Sequence, residues 1–221
     1  MEVLLADIPA LGVNRSLAEV LNVLPLFYRQ KALRFVRNED RARSAVSSVL
    51  MLSEAVKEYG SARILRTEYG KPFIKDGFEF NISHSGDFAA YVRGDLPVGV
   101  DIEQALPINI ADFASFLTPA EYSDITCADD PCQKFYEVWT IREAFSKAAG
   151  KGLSLFEEDY SIDYASKTAR YNGTEYRFSA MRLNGYSLAV CAEDLCGMSV
   201  RYITAEEWKE RIETVLRLRD Q

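Results

Sequence analysis

A helical pattern followed by alternating strand patterns occurs twice along this chain of 221 residues, and this repetition constrains the fold more than any other feature. In the first occurrence, apolar residues recur at helical spacing between residues 39 and 59, and Gly60 is a natural end for that helix. The segment FEFNIS then alternates Phe78, Phe80 and Ile82 with polar residues, as a half-buried strand does. FAAYVR and VGVDIE follow as two further strands. This order predicts a helix packed on an antiparallel sheet.

The second half of the chain repeats that order. Residues 118–121 (TPAE) form a capping box with proline at the first helical position, and a longer helix is predicted from about residue 134 to residue 149. Strands are predicted next at about 160–164, 168–172, 175–179, 186–192 and 198–203. A final helix is predicted at about 205–219. We therefore predict an α+β fold made of two similar halves, residues 1–104 and 105–221, that pack together.

Charge and hydropathy argue against two classes of protein. The net charge of −7 disfavours a nucleic-acid-binding protein, and no apolar run approaches the roughly 18–20 residues that span a bilayer. Because the N-terminal residues lack the basic flank of a signal peptide, we expect a cytoplasmic protein without membrane association.

One segment is basic against the overall acidic trend. Between residues 29 and 43, six cationic side chains oppose only Glu39 and Asp40. The six are Arg29, Lys31, Arg34, Arg37, Arg41 and Arg43. The segment fits either a solvated helix face or a surface that receives a phosphate.

The four cysteines form two pairs, Cys127 with Cys132 and Cys191 with Cys196, each separated by four residues. That spacing is compatible with zinc. No histidine accompanies either pair, and Cys191 ends an apolar, strand-like run. We therefore expect reduced thiols without a functional role.

His84 is the only histidine of the chain and lies between two serines in the segment FNISHSGDFAAY. Ser85, Gly86 and Asp87 predict a turn directly after it. A single histidine in this place is either a binding residue or a structural residue with satisfied hydrogen bonds, and the residues alone leave both readings open.

Two further segments carry acids in positions that suit a cation. In VGVDIE, Asp101 and Glu103 share one face because side chains alternate along a strand. Like charges at this spacing repel unless a cation lies between them, and Gly99 leaves room for another backbone or a ligand. In WTIREAFSKAAGKG, Glu143 and Lys147 lie one helical turn apart. Taken alone, the first pattern is more typical of two exposed acids, and the second is more typical of a surface ion pair.

In combination, FNISHSGD, VGVDIE and WTIREAFSKAAGKGLS, in this order and at these separations, resemble the 4'-phosphopantetheinyl transferases of the surfactin-synthetase-activating type. TEYGKPFI and FVRNEDRAR resemble two further segments of that family, so that the resemblance covers about residues 25–195. It implies two α+β halves related by a pseudo-twofold axis, with coenzyme A and magnesium bound in the cleft between them. It also implies a monomer that transfers the phosphopantetheine arm of coenzyme A to a serine of an apo-carrier protein and releases adenosine 3',5'-bisphosphate.

The resemblance assigns metal-binding and catalytic roles to individual residues. It implies that Asp101, Glu103 and Glu143 hold Mg²⁺, a hard cation that suits carboxylate ligands. Glu143, Lys147 and His84 are the expected catalytic residues. Glu143 is the expected base for the serine proton, and Glu103 is the alternative.

A second set of residues is expected to bind coenzyme A. These residues are Lys31, Arg43, Lys71, Ser83, His84, Arg142 and Lys147. Within this set, Lys31 and Arg43 match positions at the adenosine 3'-phosphate, and Lys71 matches a lysine near the nucleotide. Arg142 stands where a lysine usually precedes the glutamate, and Tyr28 stands where some members carry a further basic residue. This departure leaves the contact of Arg142 undetermined, because a planar guanidinium is not equivalent to an ammonium group.

Two other interpretations stay open at this point. A non-catalytic module of the same fold would bind coenzyme A or a carrier protein, and a different magnesium-dependent phosphotransferase or hydrolase would use the same acids. For the carrier protein we expect docking on the apolar side chains of Phe113, Phe116 and Leu117, whose alternative role is core packing.

Overall fold

The computed structural model describes residues 1–61, 63–195 and 197–220 and confirms the α+β class. The elements up to residue 104 are β1 (Glu2–Asp7), α1 (Val13–Val23), α2 (Leu26–Leu33), α3 (Asn38–Tyr59), β2 (Ile64–Arg66), β3 (Pro72–Ile74), β4 (Glu79–Ser85), β5 (Phe88–Gly94) and β6 (Val98–Gln104). Those that follow are α4 (Pro119–Thr126), α5 (Pro131–Ala149), β7 (Tyr160–Asp163), β8 (Thr168–Tyr171), β9 (Thr174–Leu183), β10 (Tyr186–Ala192), β11 (Ser199–Tyr202) and α6 (Ala205–Leu216). Short 3-10 helices lie at Ile110–Phe116, Gly152–Glu157 and Arg217–Asp220.

The two main sheets exchange strands across the predicted boundary at residue 104. The first sheet has the order β11-β1-β5-β4, and the second has the order β6-β10-β9-β8-β7. Strand β6 therefore pairs antiparallel with β10, and β11 returns to pair parallel with β1. Each part of the chain thus gives its last strand to the sheet of the other part, a reciprocal relation between two similar halves. The division into residues 1–104 and 105–221 stays a prediction about the sequence, because hydrogen bonding crosses it in both directions.

The molecule has four layers, with helices outside and the two sheets facing each other. Helices α3 and α6 cover the outer face of the first sheet, and α5 covers the outer face of the second. Alternation along β10 shows this arrangement directly, since Leu188 and Val190 enter the core between the sheets while Ala189 and Cys191 pack against α5.

The two long helices end as the sequence predicts. Gly60 follows α3 with a φ of 66°, and Gly150 follows α5 with a φ of 75°. Glycine adopts this left-handed conformation without the strain that a Cβ atom introduces. Thr118 and Glu121 form the predicted capping box at the start of α4. In the described part of the chain, no helix has the length and apolar character that crossing a membrane requires.

Candidate functional site

Helix α5 packs directly on the backbone of β6 at Gly99. A Cβ atom at this position would lie 2.0 Å from the carbonyl oxygen of Ala144 and 2.5 Å from the backbone nitrogen of Ala148. Only a residue without a Cβ atom permits this approach, so the backbone of α5 fills the room that Gly99 leaves. The contact brings Lys147 of α5 next to Asp101 of β6.

Asp101 lies where the two halves meet, and its side chain is only 3% exposed. Its Oδ1 atom accepts hydrogen bonds from Nζ of Lys147 and from Oγ of Ser83, each at 2.6 Å. Nζ of Lys147 also donates to the carbonyl oxygen of Val100 at 3.3 Å. The second carboxylate oxygen, Oδ2, is buried and has no hydrogen-bond partner in the described part of the chain. A buried oxygen without a partner is unfavourable unless a donor or a cation binds it.

Alternate residues of β4 present polar side chains to β6, although the two strands belong to different sheets. The amide oxygen of Asn81 accepts a hydrogen bond from the backbone nitrogen of Val100 at 3.0 Å. Oγ of Ser85 donates to Oε2 of Glu103 at 2.7 Å and accepts from the backbone nitrogen of Gln104 at 3.1 Å. These side chains replace the backbone ladder that would join the strands within one sheet. The residues of this polar seam are Asn81, Ser83 and Ser85.

Glu103 and Glu143 bring two more carboxylates to the vicinity of Asp101. Burial, followed by repulsion from Asp101, raises the pKa of Glu103 to about 7. Burial also raises the pKa of Glu143, and the charge of Asp101 adds to this effect although Lys147 opposes it. Each carboxylate therefore lies where a neighbouring positive charge would favour its ionised form.

This donor set fits Mg²⁺. In residues 1–61, 63–195 and 197–220, no three metal-ligating side chains already stand in the arrangement of a metal site. Oδ2 of Asp101 nevertheless has no partner among the described residues, and the acids repel one another. A hard cation bound here would stabilise both.

His84, at the end of β4, lies among cationic side chains. His84 is an exposed residue, yet the protein atoms around its ring displace part of the surrounding water. This desolvation, together with the positive charges of Arg43, Lys147 and Lys31, lowers the pKa of His84 to about 4. A group of cations around a neutral imidazole favours the binding of an anion.

Arg43 is fixed beside His84 by the turn that follows β4. Its Nη1 atom donates to the carbonyl oxygen of Gly86 at 2.7 Å, and its guanidinium group pairs with Asp40. A cavity of about 150 Å³ opens next to His84 between α2, α3 and the β2–β3 hairpin. Tyr28, Lys31 and Arg66 are among the residues that line it. Of the basic segment, Lys31 lines this cavity, which is consistent with the phosphate-binding alternative.

Arg142 does not join these clusters. It is buried, and its Nη1 atom donates to both carboxylate oxygens of Glu121 at 2.9 Å. The guanidinium carbon lies 4.0 Å from the ring centroid of Phe156. The structure thus gives Arg142 a structural ion pair with α4, and its contact with coenzyme A stays a prediction.

Lys71 also has protein partners. Its Nζ atom donates to the carbonyl oxygen of Val98 at 3.3 Å and lies 3.6 Å from a carboxylate oxygen of Glu79. Burial lowers the pKa of Lys71, although the charge of Glu79 opposes this shift. Lys71 therefore lies near the first residue of β6 rather than beside Asp101.

Sequence reasoning assigned no role to Ser85 or Arg66. Ser85 follows Ser83 by two residues on one strand, so alternation placed both on the face that meets β6. No comparable signal existed for Arg66, because only the folded β2–β3 hairpin brings it to the cavity beside His84.

The three apolar residues expected to receive the carrier protein differ in exposure. Leu117 is buried, and Phe113 packs its ring against Phe135 and Trp139. Phe116 is 51% exposed and contacts Trp139 edge-on. Core packing thus accounts for the first two, and Phe116 alone of the three presents a large surface.

The described cysteines show no sign of a metal site. Cys127 is exposed, and Cys191 is buried, which raises the pKa of its thiol. Cys196, which was also expected to be a reduced thiol, lies outside the described residues.

Comparison with known proteins gives matches in both halves of the chain. Residues 13–94 match a family model described as "4'-phosphopantetheinyl transferase, N-terminal", and residues 97–191 match one described as "4'-phosphopantetheinyl transferase superfamily". The chain is 37% identical over 142 residues to 4'-phosphopantetheinyl transferase Sfp of Bacillus subtilis (strain 168), which is 61% of this chain and 63% of that protein. It is 33% identical over 141 residues to 4'-phosphopantetheinyl transferase gsp of Aneurinibacillus migulanus, which is 61% and 60% of the two chains.

A more distant relative extends the matched region. It is the L-aminoadipate-semialdehyde dehydrogenase-phosphopantetheinyl transferase of Schizosaccharomyces pombe, 28% identical over 188 residues and matched over 72% of each chain. For the bacterial relatives, the match spans less than two thirds of their own length.

Proposed function

Because the chain belongs to the 4'-phosphopantetheinyl transferase superfamily, we propose that it transfers the 4'-phosphopantetheine arm of coenzyme A to a serine of an apo-carrier protein. The acceptor is an acyl, peptidyl or aryl carrier domain, and the second product is adenosine 3',5'-bisphosphate. One observation carries the proposal. Buried Asp101 is held by Lys147 and Ser83, one of its carboxylate oxygens has no partner among the described residues, and a cluster of cations lies beside it at His84. Phosphoryl-type transfer requires acidic residues that hold a cation, placed next to basic residues that bind phosphate.

Coenzyme A is the co-substrate in this proposal, and its phosphates meet the cationic side chains. Lys31 and Arg43 receive the adenosine 3'-phosphate, while His84 and Lys147 receive the pyrophosphate. The support is that the charges of Lys31, Arg43 and Lys147 all act on His84. Charge-assisted hydrogen bonds to phosphate are among the stronger interactions of this kind.

Asp101, Glu103 and Glu143 are the residues that would hold Mg²⁺. When bound, Mg²⁺ supplies positive charge that neutralises the phosphate oxygens as the transfer proceeds. Ser83 orients the carboxylate of Asp101 by a hydrogen bond. Lys147 lies 2.6 Å from Asp101 and is positioned to stabilise the leaving phosphate as well.

The transfer is a displacement at phosphorus without a covalent enzyme intermediate. The serine oxygen of the carrier forms a bond to the phosphorus that bears the pantetheine arm, and the bond from this phosphorus to the bridging oxygen breaks. Adenosine 3',5'-bisphosphate leaves with that oxygen, and the serine proton passes to Glu143. A carboxylate with a raised pKa is suited to accept this proton near neutral pH. Glu103, with a pKa of about 7, is the alternative base.

A monomer in the cytoplasm is part of the proposal. The support for a monomer is that one chain supplies both clusters, with Ser83 on β4, Asp101 on β6 and Lys147 on α5.

The decisive experiment is incubation of the protein with coenzyme A, Mg²⁺ and a panel of apo-carrier proteins, followed by intact-mass measurement. We expect at least one carrier to gain the mass of phosphopantetheine, and its variant with alanine at the acceptor serine to gain none. No modification of any carrier, with unchanged coenzyme A, would favour a non-catalytic binding module. Cleavage of coenzyme A without a carrier would favour a hydrolase.

A further inference from the structure

The polar seam contains one residue, Ser85, to which neither the family resemblance nor the proposed reaction assigns a role of its own. We propose that Ser85 is a positioning residue that fixes the carboxylate of Glu103 in the orientation in which it binds the divalent cation. This inference rests on the proposed function, since the cation belongs to that reaction.

The hydrogen bonds of Ser85 fix the direction in which its hydroxyl group donates. Its Oγ atom accepts from the backbone nitrogen of Gln104 at 3.1 Å. A hydroxyl group has one proton, and here this proton points to Oε2 of Glu103 at 2.7 Å. The backbone of β6 therefore holds the hydroxyl group while the hydroxyl group holds the carboxylate.

The orientation of the Glu103 carboxylate depends on Ser85 more than the orientation of the Asp101 carboxylate depends on Ser83. Asp101 receives two hydrogen bonds, one from Ser83 and one from Lys147. In the described part of the chain, the carboxylate of Glu103 receives a hydrogen bond from Ser85 alone. Removing the hydroxyl group of Ser85 would leave this carboxylate free to rotate, because the described residues offer it no other hydrogen-bond donor.

A purely structural role for Ser85 is the competing explanation, since its bond to Gln104 also ties the end of β4 to β6. A matched control exists for this alternative. Ser187 of β10 stands directly opposite Glu103 in the strand register and is buried, but its hydroxyl group bonds Thr140 at 3.0 Å. Ser187→Ala therefore removes a buried hydroxyl group beside Glu103 without removing the bond to its carboxylate.

The experiment measures binding of Mn²⁺, as a spectroscopic probe, by electron paramagnetic resonance in the presence of coenzyme A and without a carrier protein. The variants are Ser85→Ala, the nearly isosteric pair Ser85→Val and Ser85→Thr, and Ser187→Ala, each checked for folding by thermal unfolding. We expect Ser85→Ala and Ser85→Val to weaken Mn²⁺ binding by about 10- to 100-fold, the usual effect of losing a residue that orients a ligand. Ser85→Thr, which keeps the hydroxyl group, should restore affinity to near the wild-type value, and Ser187→Ala should not change it.

In the transfer assay, the half-saturating Mg²⁺ concentration of Ser85→Ala should rise, while its KM for coenzyme A at saturating Mg²⁺ stays constant. Equal Mn²⁺ affinity of Ser85→Val and Ser85→Thr overturns the inference, as does an equal loss in Ser187→Ala. A wild-type protein that binds no Mn²⁺ overturns it together with the metal part of the proposed function. If the wild-type protein modifies no carrier, the proposed function is rejected. The inference is still supported in that case if Mn²⁺ affinity falls in Ser85→Val and not in Ser85→Thr.

Discussion

The ammonium nitrogen of Lys147 lies 2.6 Å from Oδ1 of Asp101, so a lysine of α5 neutralises an acid of β6 that we propose as a metal ligand. The same lysine acts electrostatically on His84. One side chain therefore connects the acidic cluster with the cationic cluster. Because a bound pyrophosphate attracts this ammonium group, coenzyme A and a divalent cation should each favour the binding of the other.

Lys147→Met should bind Mn²⁺ about tenfold more tightly than the wild type when coenzyme A is absent, a change of about 1.4 kcal/mol. The reason is that the variant lacks the positive charge that competes for Asp101. The measurement is an Mn²⁺ titration by electron paramagnetic resonance. Lys134→Met is the control, because Lys134 lies on the same helix with the same 25% side-chain exposure but pairs with Asp124. Affinity of Lys147→Met at or below the wild-type value contradicts the competition.

Gly99→Ala should destabilise the protein by about 3 kcal/mol or more, because its Cβ atom would lie 2.0 Å from the carbonyl oxygen of Ala144 and two backbones would have to separate. Urea denaturation measures this change in the free energy of unfolding. Gly94→Ala is the control, since its Cβ atom would approach no atom closer than 3.1 Å. A similar loss of unfolding free energy in both variants would show that the destabilisation comes from replacing any strand glycine, and not from the contact with α5.

The single histidine of the chain permits a direct titration by NMR. In the free protein we expect the pKa of His84 to be about 4, because desolvation and the charges of Arg43 and Lys147 disfavour the imidazolium. Coenzyme A should raise this pKa, since a nearby phosphate stabilises the positive charge. A pKa near 6.5 that coenzyme A does not change would remove His84 from the phosphate site.

The same pKa shift predicts the sign of a pH effect on stability. In the folded protein the pKa is lowered from the ordinary value of 6.5 to about 4, so the unfolded chain binds more protons between these values. The contribution of His84 to stability is therefore full above about pH 6.5 and is lost as the pH falls towards 4. His84→Gln should flatten this part of the stability curve, and an unchanged curve would contradict the shift.

Arg142→Met should lower the free energy of unfolding by about 3–5 kcal/mol, because it leaves Glu121 in a buried site without its cationic partner. Its KM for coenzyme A decides between the contact that the sequence predicts and a purely structural ion pair. We expect this KM to stay unchanged, since Arg142 contacts Glu121 and Phe156 in the structure. Arg142→Lys, which keeps the charge but not the planar group, should be less destabilised. A raised KM for coenzyme A in Arg142→Lys at unchanged stability would return this residue to the coenzyme A site.

Phe116→Asp should raise the KM for the carrier protein about tenfold and leave coenzyme A binding unchanged. Its ring is exposed beside Trp139, which precedes Glu143 by one turn of α5, and exposed aromatic side chains often dominate protein interfaces. Steady-state kinetics with varied carrier concentration gives the measurement. Phe27→Asp is the matched variant, because Phe27 on α2 is 59% exposed. A larger effect of Phe27→Asp would place the docking surface at α2 instead.

Local periodicity predicted the features that depend on neighbouring residues. Alternation along β6 placed Asp101 and Glu103 on one face, and helical spacing placed Glu143 near Lys147. The partners of these residues were not predictable in the same way, because a strand pattern states which face is buried but not which strand lies beside it. The same limit applies to Arg142, whose partner Glu121 stands on another helix.

The exchange of β6 and β11 between the sheets means that the chain cannot be cut at residue 104 into two modules that fold independently. A fragment ending there would carry β6 without β10, and the remaining fragment would carry β11 without β1. Both would present unpaired strand edges, which are templates for pairing with another chain. Each fragment is the natural complement of the other, and their reassembly would itself bring Lys147 to Asp101.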